Sequence, residues 1–197
     1  IVIPSFEEDT SKYVVFSNFN DPAYFIGNTE TIVNVCRASS AAPVYLPAHN
    51  FNGHYYSDGG VYANDAILAA INVGLSVKPH ATRIVIIDVG TGIGNMSFDG
   101  SGGASTDLEH SAVRAVKIMN VAMTGAEEWS RYYLDYLSNR LARDVYFYKF
   151  QPKFPEDFPN ELDNSTPAWF STLANLIDTH YANESDKISS ILAHLTA

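Results

Sequence analysis

The sequence is poor in cysteine, in basic residues and in long apolar runs, and each shortage closes off a class of protein. Cys36 is the single cysteine among 197 residues, so neither an intrachain disulfide nor a multi-cysteine metal site can be assembled. Lys and Arg number 12 against 22 Asp and Glu, for a formal net charge of −10. That balance lacks the basic face a phosphate backbone requires, and nucleic acid is not an expected partner. No stretch approaches the roughly 18 consecutive apolar residues needed to span a bilayer. The setting expected from these shortages is cytoplasmic, or secreted without disulfides.

What is present is core material. Hydrophobic residues make up 46% and aromatics 13% of the chain, enough for a globular body and too much for a disordered one. The length suits one domain at roughly 150 residues per domain. The opening Ile1-Val2-Ile3-Pro4-Ser5-Phe6 reads as the middle or end of a buried strand, which leads us to expect further sequence upstream.

Lys12 to Ser17 is a β-branched and aromatic run followed by the turn formers Asn18, Asn20, Asp21 and Pro22, a strand and loop pattern. A helix fits Thr29 to Ser39, stopped by Pro43 beyond it. Tyr55-Tyr56-Ser57 reads as a strand running into Asp58-Gly59-Gly60. The next helix is expected to open at Asn64 as N-cap, to pack Ile67, Leu68 and Ile71, and to stop at Gly74. Arg83 to Val89 is apolar almost without alternation, as in a parallel strand covered on both faces. Met96 to Ser105 reads as a Gly/Ser-rich surface loop, Thr106 to Glu109 has capping-box spacing, and a helical stripe follows to about Ala142, with a break at Thr124-Gly125 equally compatible. Val145 to Phe150 is a late strand, Gln151 to Pro159 a Pro-rich connection, and Pro167 to Thr179 and Ser185 to Leu195 are terminal helices. Strands alternating with helices indicate an α/β fold with a mostly parallel sheet between helical layers, where ligands gather at the carboxyl ends of strands.

Asp58-Gly59-Gly60 and Gly90 to Gly94 are therefore the loops of interest. A carboxylate followed by two glycines suits a tight turn as well as a catalytic carboxylate that needs close approach. In Gly90-Thr91-Gly92-Ile93-Gly94 the third glycine falls one residue early for a dinucleotide loop. His49 and His54 lie near Asp58 in sequence without spaced carboxylate partners and read as solvated loop histidines rather than ligands. Asp88, within a buried strand, reads as a structural hydrogen-bonding group. The aromatics Tyr132, Tyr133, Tyr136, Tyr146, Phe147 and Tyr148 fit packing between helix and sheet, with an acyl groove as the alternative.

The flanks of the Asp58 loop add a longer signal. Arg37-Ala38-Ser39-Ser40-Ala41-Ala42-Pro43-Val44-Tyr45-Leu46-Pro47 and Ser57-Asp58-Gly59-Gly60-Val61-Tyr62-Ala63-Asn64-Asp65 closely resemble the R-A-S-x-A-A-P-x-Y-F-P and D-G-G-x-x-x-N-x-P segments of patatin-like phospholipases. Ile1 to Phe6 resembles the strand that precedes them, and Ile86 to Gly92 a later strand end. Leu46 stands where Phe is usual, and Asp65 follows Asn64 where Asn-Pro is frequent.

The resemblance implies a three-layer α/β/α patatin-like fold, of which these residues form the C-terminal part. It also implies hydrolysis of phospholipid or another lipid ester by a Ser-Asp dyad without cofactor or metal. Asp58 matches the dyad aspartate, and Gly59 and Gly60 support its loop beside the substrate. The dyad serine lies in a G-x-S-x-G turn, and no serine of this chain has glycine two residues before and two after it. The expected partners are thus the lipid ester, the missing N-terminal part carrying the serine, and transiently a membrane surface. This chain alone is expected to be inactive and to expose an apolar face. The alternative is a non-catalytic lipid- or protein-binding module of the same fold.

Overall fold

The computed structural model describes residues 1–19, 25–26, 31–92, 108–140, 143–155, 158 and 165–196. The chain divides into two compact units, Ile1–Ala81 with Asp99–Leu141, and Thr82–Phe98 with Ala142–Ala197.

The first unit is built on strands β1 (Val2–Glu7), β2 (Lys12–Ser17), β3 (Phe25–Ile26), β4 (His49–Phe51) and β5 (His54–Asp58), in the order β3-β2-β1-β5-β4. The expected parallel sheet is not found here. Pairs β1/β2, β1/β5 and β4/β5 are antiparallel, and β2/β3 alone is parallel. The reason is local. β1 turns directly into β2 with Ser11 at φ 54°, and β4 turns into β5 through Asn52 and Gly53 at φ 52° and 83°. Two consecutive positive-φ residues, Asn then Gly, make the two-residue turn whose twist matches an antiparallel hairpin.

Helix α1 (Ile32–Ser39) begins where the Thr31 hydroxyl accepts the Asn34 amide at 3.3 Å; residues 29–30 of the expected helix lie outside the described residues. It packs Val35 and Ala38 against Val14, Phe16, Phe51 and Tyr56, with Ile3 at the edge. Tyr56 is 2% exposed, stacked on Phe51 at 4.4 Å and edge-on to Phe16 at 5.6 Å. Burying such side chains contributes roughly 1.5–3 kcal/mol apiece.

Helices α2 (Gly60–Ala63), α3 (Ile67–Val77) and α4 (Leu108–Ser138) complete the unit. Two expectations change here. Asn64 ends α2 instead of capping α3, and it is the Asp65 carboxylate that accepts the Ile67 amide at 3.0 Å. Gly74 does not stop α3, which continues to Val77 before Pro79. A helical glycine costs about 1 kcal/mol, too little to end a helix that the tertiary fold supports. Gly125 likewise sits within an unbroken α4. Of the expected capping box, residues 106–107 lie outside the described residues, as do Asn20, Asp21, Pro22 and the Met96–Ser105 loop.

The second unit pairs β6 (Arg83–Val89) with β7 (Asp144–Phe150) in parallel, and carries α5 (Pro167–Ala182) and α6 (Ser185–Thr196). Here the parallel expectation holds, and among the described residues of this unit Ile87 and Val89 are exposed. Asp88 forms an ion pair with Lys149, its register partner, at 3.2 Å, in keeping with a structural role. Tyr146 of β7 lies over His194 of α6 at 3.7 Å. No described helix is long and apolar enough to cross a membrane.

Candidate active site

Asp58 ends β5, opposite Ser5 of the adjoining β1. Strand alternation puts Ser5, Glu7, His54, Tyr56 and Asp58 on one face of the sheet, the face that carries Val14 and Phe16 and is covered by α1. The Asp58 amide donates to the Ala41 carbonyl at 3.0 Å, which joins the loop to the segment after α1. The chain then reverses, and the Gly60 amide donates to Asp58 Oδ1 at 2.7 Å. This is an Asx-type turn: the side chain two residues back takes over a backbone acceptor's work.

Gly59 is required by a main-chain neighbour rather than by φ, whereas at Gly60 the close neighbour is the end of a flexible side chain. A Cβ on Gly59 would fall onto the carbonyl oxygen of Pro4 and lie 2.9 Å from its Cβ; on Gly60 it would lie 2.8 Å from Met123 Cε. Pro4 and Met123 were not singled out by the sequence. Proline within a strand flanked on both sides is the signal that could have found the first, since it marks a place where strand pairing stops. β5 does end opposite Ser5, and the Pro4 carbonyl instead accepts the Ser39 hydroxyl at 2.7 Å. Tyr62, also not anticipated, packs on Phe6 and Tyr13 and donates to the Val14 carbonyl at 3.1 Å. Burial, with Tyr13 beside it, pushes the phenol well above its usual range.

Asp58 is half-buried, and burial raises its pKa above the ordinary aspartate value, against the lowering influence of the Gly60 amide. The result is a carboxylate held in orientation by one oxygen and made more basic by its surroundings. The neighbouring serines are otherwise engaged. Ser5 donates to the Ser57 carbonyl at 2.8 Å, Ser39 to Pro4, and Ser57 to the Glu8 carboxylate.

Beside the loop, Arg37, Ser40, Ala41, Leu46, Pro47, Ala48 and His49 line an open cavity of about 170 Å³. His49 pairs with Asn34 Oδ1 at 3.2 Å, and burial, then Arg37, holds its pKa below the usual imidazole value. On the cavity's rim segment Val44 adopts φ 75°. A β-branched residue is a true outlier in the left-handed region, and Val44 is largely exposed. We expect Val44→Gly to raise stability by about 1 kcal/mol despite glycine's entropy cost, measurable by urea denaturation.

His54 is not a solvated loop histidine. Its Nδ1 lies 2.6 Å from Asp9 Oδ2 and 3.0 Å from Glu7 Oε1, while Asp9 Oδ1 accepts the Tyr55 amide at 2.9 Å. Each of the three side chains offers a potential metal-ligand atom within 4.8 Å of the others, and the imidazole Nδ1 stands within reach of both carboxylates. The Asp9 hydrogen bond, aided by the Glu7 charge, raises the His54 pKa against the opposing effect of burial. The Tyr55 amide, then His54, lowers that of Asp9. Stability from His54 is thus complete below its unfolded value of about 6.5 and lost as pH rises through the raised folded value. Stability from Asp9 is present above about 3.8 and lost as pH falls through the lowered one. The melting-temperature gap between wild type and His54→Gln should therefore be widest near pH 5 and close as pH rises past neutral. A gap unchanged between pH 5 and pH 9 would refute this pairing.

A family model described as patatin-like phospholipase matches residues 3–71, the stretch from β1 through the Asp58 loop into α3. Residues 3–71 are thus similar to the patatin-like phospholipase family. A relative named patatin-like protein 3, from Arabidopsis thaliana, is 30% identical over 113 residues, which cover 47% of this chain and 26% of the relative. The chain thus spans about a quarter of that relative's length. The patatin-like segment includes Asp58, Gly59 and Gly60, Pro4 against which Gly59 is packed, and Arg37 to His49 around the cavity. Met123, against Gly60, comes from α4, outside the matched residues.

Proposed function

We propose that the protein is the base-bearing part of a lipid acyl hydrolase that cleaves carboxylic esters through a Ser-Asp dyad. The observation that carries this reading is the half-buried Asp58, fixed by the Gly60 amide at the end of β5 within a patatin-like segment. In this role Asp58 accepts the proton of the nucleophilic serine, orients its hydroxyl, and later activates the water that clears the acyl-enzyme. Gly59 and Gly60 keep the loop free of side chains. No serine among the 197 residues stands in G-x-S-x-G, so the nucleophile of this dyad is contributed by sequence outside them, and these residues alone do not turn over an ester. Phospholipid or a related lipid ester is the proposed substrate.

The same missing motif favours a second reading, a non-catalytic lipid- or protein-binding module of this fold. Hydrolysis of a short, soluble p-nitrophenyl ester by the protein together with its preceding sequence separates the two. Turnover abolished by Asp58→Asn supports the hydrolase, whereas no turnover, with no G-x-S-x-G in the preceding sequence, supports the module.

A further inference from the structure

Three side chains with metal-ligand atoms meet at the end of β5 opposite Asp58. Glu7 ends β1, Asp9 lies in the turn from β1 to β2, and His54 opens β5. His54 Nδ1 stands 2.6 Å from Asp9 Oδ2 and 3.0 Å from Glu7 Oε1. A single Nδ1 proton serves one carboxylate well, and the shorter contact gives it to Asp9. Glu7, whose side chain is 10% exposed, is left sharing that nitrogen, and among the described residues its carboxylate has no other partner. A buried carboxylate without a donor of its own is costly. A cation that several ligands can approach at once removes that cost. The donors are also held in place. Asp9 Oδ1 accepts the Tyr55 amide at 2.9 Å, which leaves Oδ2 turned to His54. The imidazole packs edge-on to Tyr56 at 6.3 Å, and the Glu8 amide donates to the Tyr55 carbonyl at 2.9 Å, fastening the turn to β5.

We propose that Glu7, Asp9 and His54 bind a divalent transition-metal ion, Zn²⁺ before others, and that the ion clamps the β1–β2 turn to the start of β5. Ligand type selects the metal. An imidazole nitrogen with two carboxylate oxygens suits Zn²⁺, whereas Mg²⁺ and Ca²⁺ are taken by oxygen donors. The spacing is close to what zinc needs: ligand atoms at about 2.0–2.2 Å from a tetrahedral ion lie about 3.3 Å from one another, so the two contacts to Nδ1 have to open by under about 1 Å. The side chains of His54 and Asp9 are 44% and 37% exposed, which gives the ion a way in and leaves a fourth position for water. Two carboxylates match its charge, and the imidazole supplies its Nδ1 lone pair once the proton there is displaced. His54 and Asp58 stand at opposite ends of β5, about 13 Å apart along the strand. The ion is therefore remote from the Asp58 carboxylate, and the site is independent of the hydrolase reading. What it links are β1 and β5, segments distant in sequence whose pairing closes a long stretch of chain.

The test uses the full chain, freed of metal with a chelator and titrated with zinc chloride by isothermal calorimetry. One Zn²⁺ per chain should bind with micromolar or tighter affinity, and millimolar Mg²⁺ or Ca²⁺ should not displace it. The melting temperature should rise by several degrees when zinc is well above its Kd. His54→Gln and Glu7→Gln should each weaken binding by about tenfold or more and abolish the rise. His80→Gln, which changes an exposed histidine outside the cluster, should do neither. X-ray absorption of the wild-type zinc complex needs no substitution, so it decides the matter even where a variant fails to fold. It should show imidazole scattering and only nitrogen and oxygen neighbours, at about 2.0–2.2 Å. Three results would overturn the proposal: no binding below millimolar zinc, an affinity unchanged in folded His54→Gln, or a sulfur neighbour at about 2.3 Å, which would put the ion on Cys36.

Discussion

In the protein together with its preceding sequence, Asp58→Asn should lower kcat for a soluble ester by about 10³- to 10⁴-fold, the scale on which carboxylate-to-amide changes act in hydrolase triads. The change should leave the fold nearly intact, because the amide oxygen of asparagine can still accept the Gly60 N–H that Asp58 Oδ1 accepts at 2.7 Å. What disappears is the proton acceptor, so the loss belongs in kcat more than in KM. The pH profile gives a second check. Burial raises the Asp58 pKa, and the base is competent only when ionised. The acid limb of kcat/KM should accordingly lie above the ordinary aspartate value of about 3.9, with activity lost as pH falls through it. Wild-type turnover surviving in Asp58→Asn would remove Asp58 from the chemistry altogether.

The parts of this fold that were readable in sequence are those decided locally. Lys12 to Ser17 and Tyr55 to Ser57 have strand composition and form strands, and Ile67, Leu68 and Ile71 mark a helix. In the first unit the alternation of strands and helices points to parallel strands, and local turn chemistry overrides it. Asn52-Gly53 is a strong hairpin signal, and it would have revealed the β4/β5 pairing. The β1/β5 pairing joins distant segments, and no pattern within either strand announces its partner. Periodicity placed Met123 on a helical stripe, yet which stripe meets Gly60 is settled by packing alone. Tyr132, Tyr133 and Tyr136 were expected between helix and sheet and instead face outward: aromatic content measures apolar area, not the direction in which it points. The Asp58 loop was legible through the long motif around it. The tripeptide by itself was equally a turn, and in the structure it is a turn as well.

Gly59→Ala should be among the most damaging single-methyl changes in the chain, and comparison with Gly53→Ala isolates the reason. Gly53 has φ 83° with nothing within 4 Å of an added Cβ, so alanine there meets only left-handed backbone strain of about 1 kcal/mol. Gly59 has the opposite problem. Its φ of −61° suits any residue, but an added Cβ would fall onto the Pro4 carbonyl group. That obstacle is main chain in β1, which is paired on both sides with β2 and β5 and cannot swing away as a flexible side chain could. Relief requires moving β1 or the Asp58 turn, at a cost of roughly 2–4 kcal/mol. Displacing β1 would also disturb the Ser39 hydrogen bond to Pro4 at 2.7 Å, and displacing the turn would misplace the Asp58 carboxylate. Urea denaturation should show Gly59→Ala losing at least twice the stability that Gly53→Ala loses. Equal losses would mean that backbone conformation, and not the approach of Pro4, accounts for a glycine at position 59.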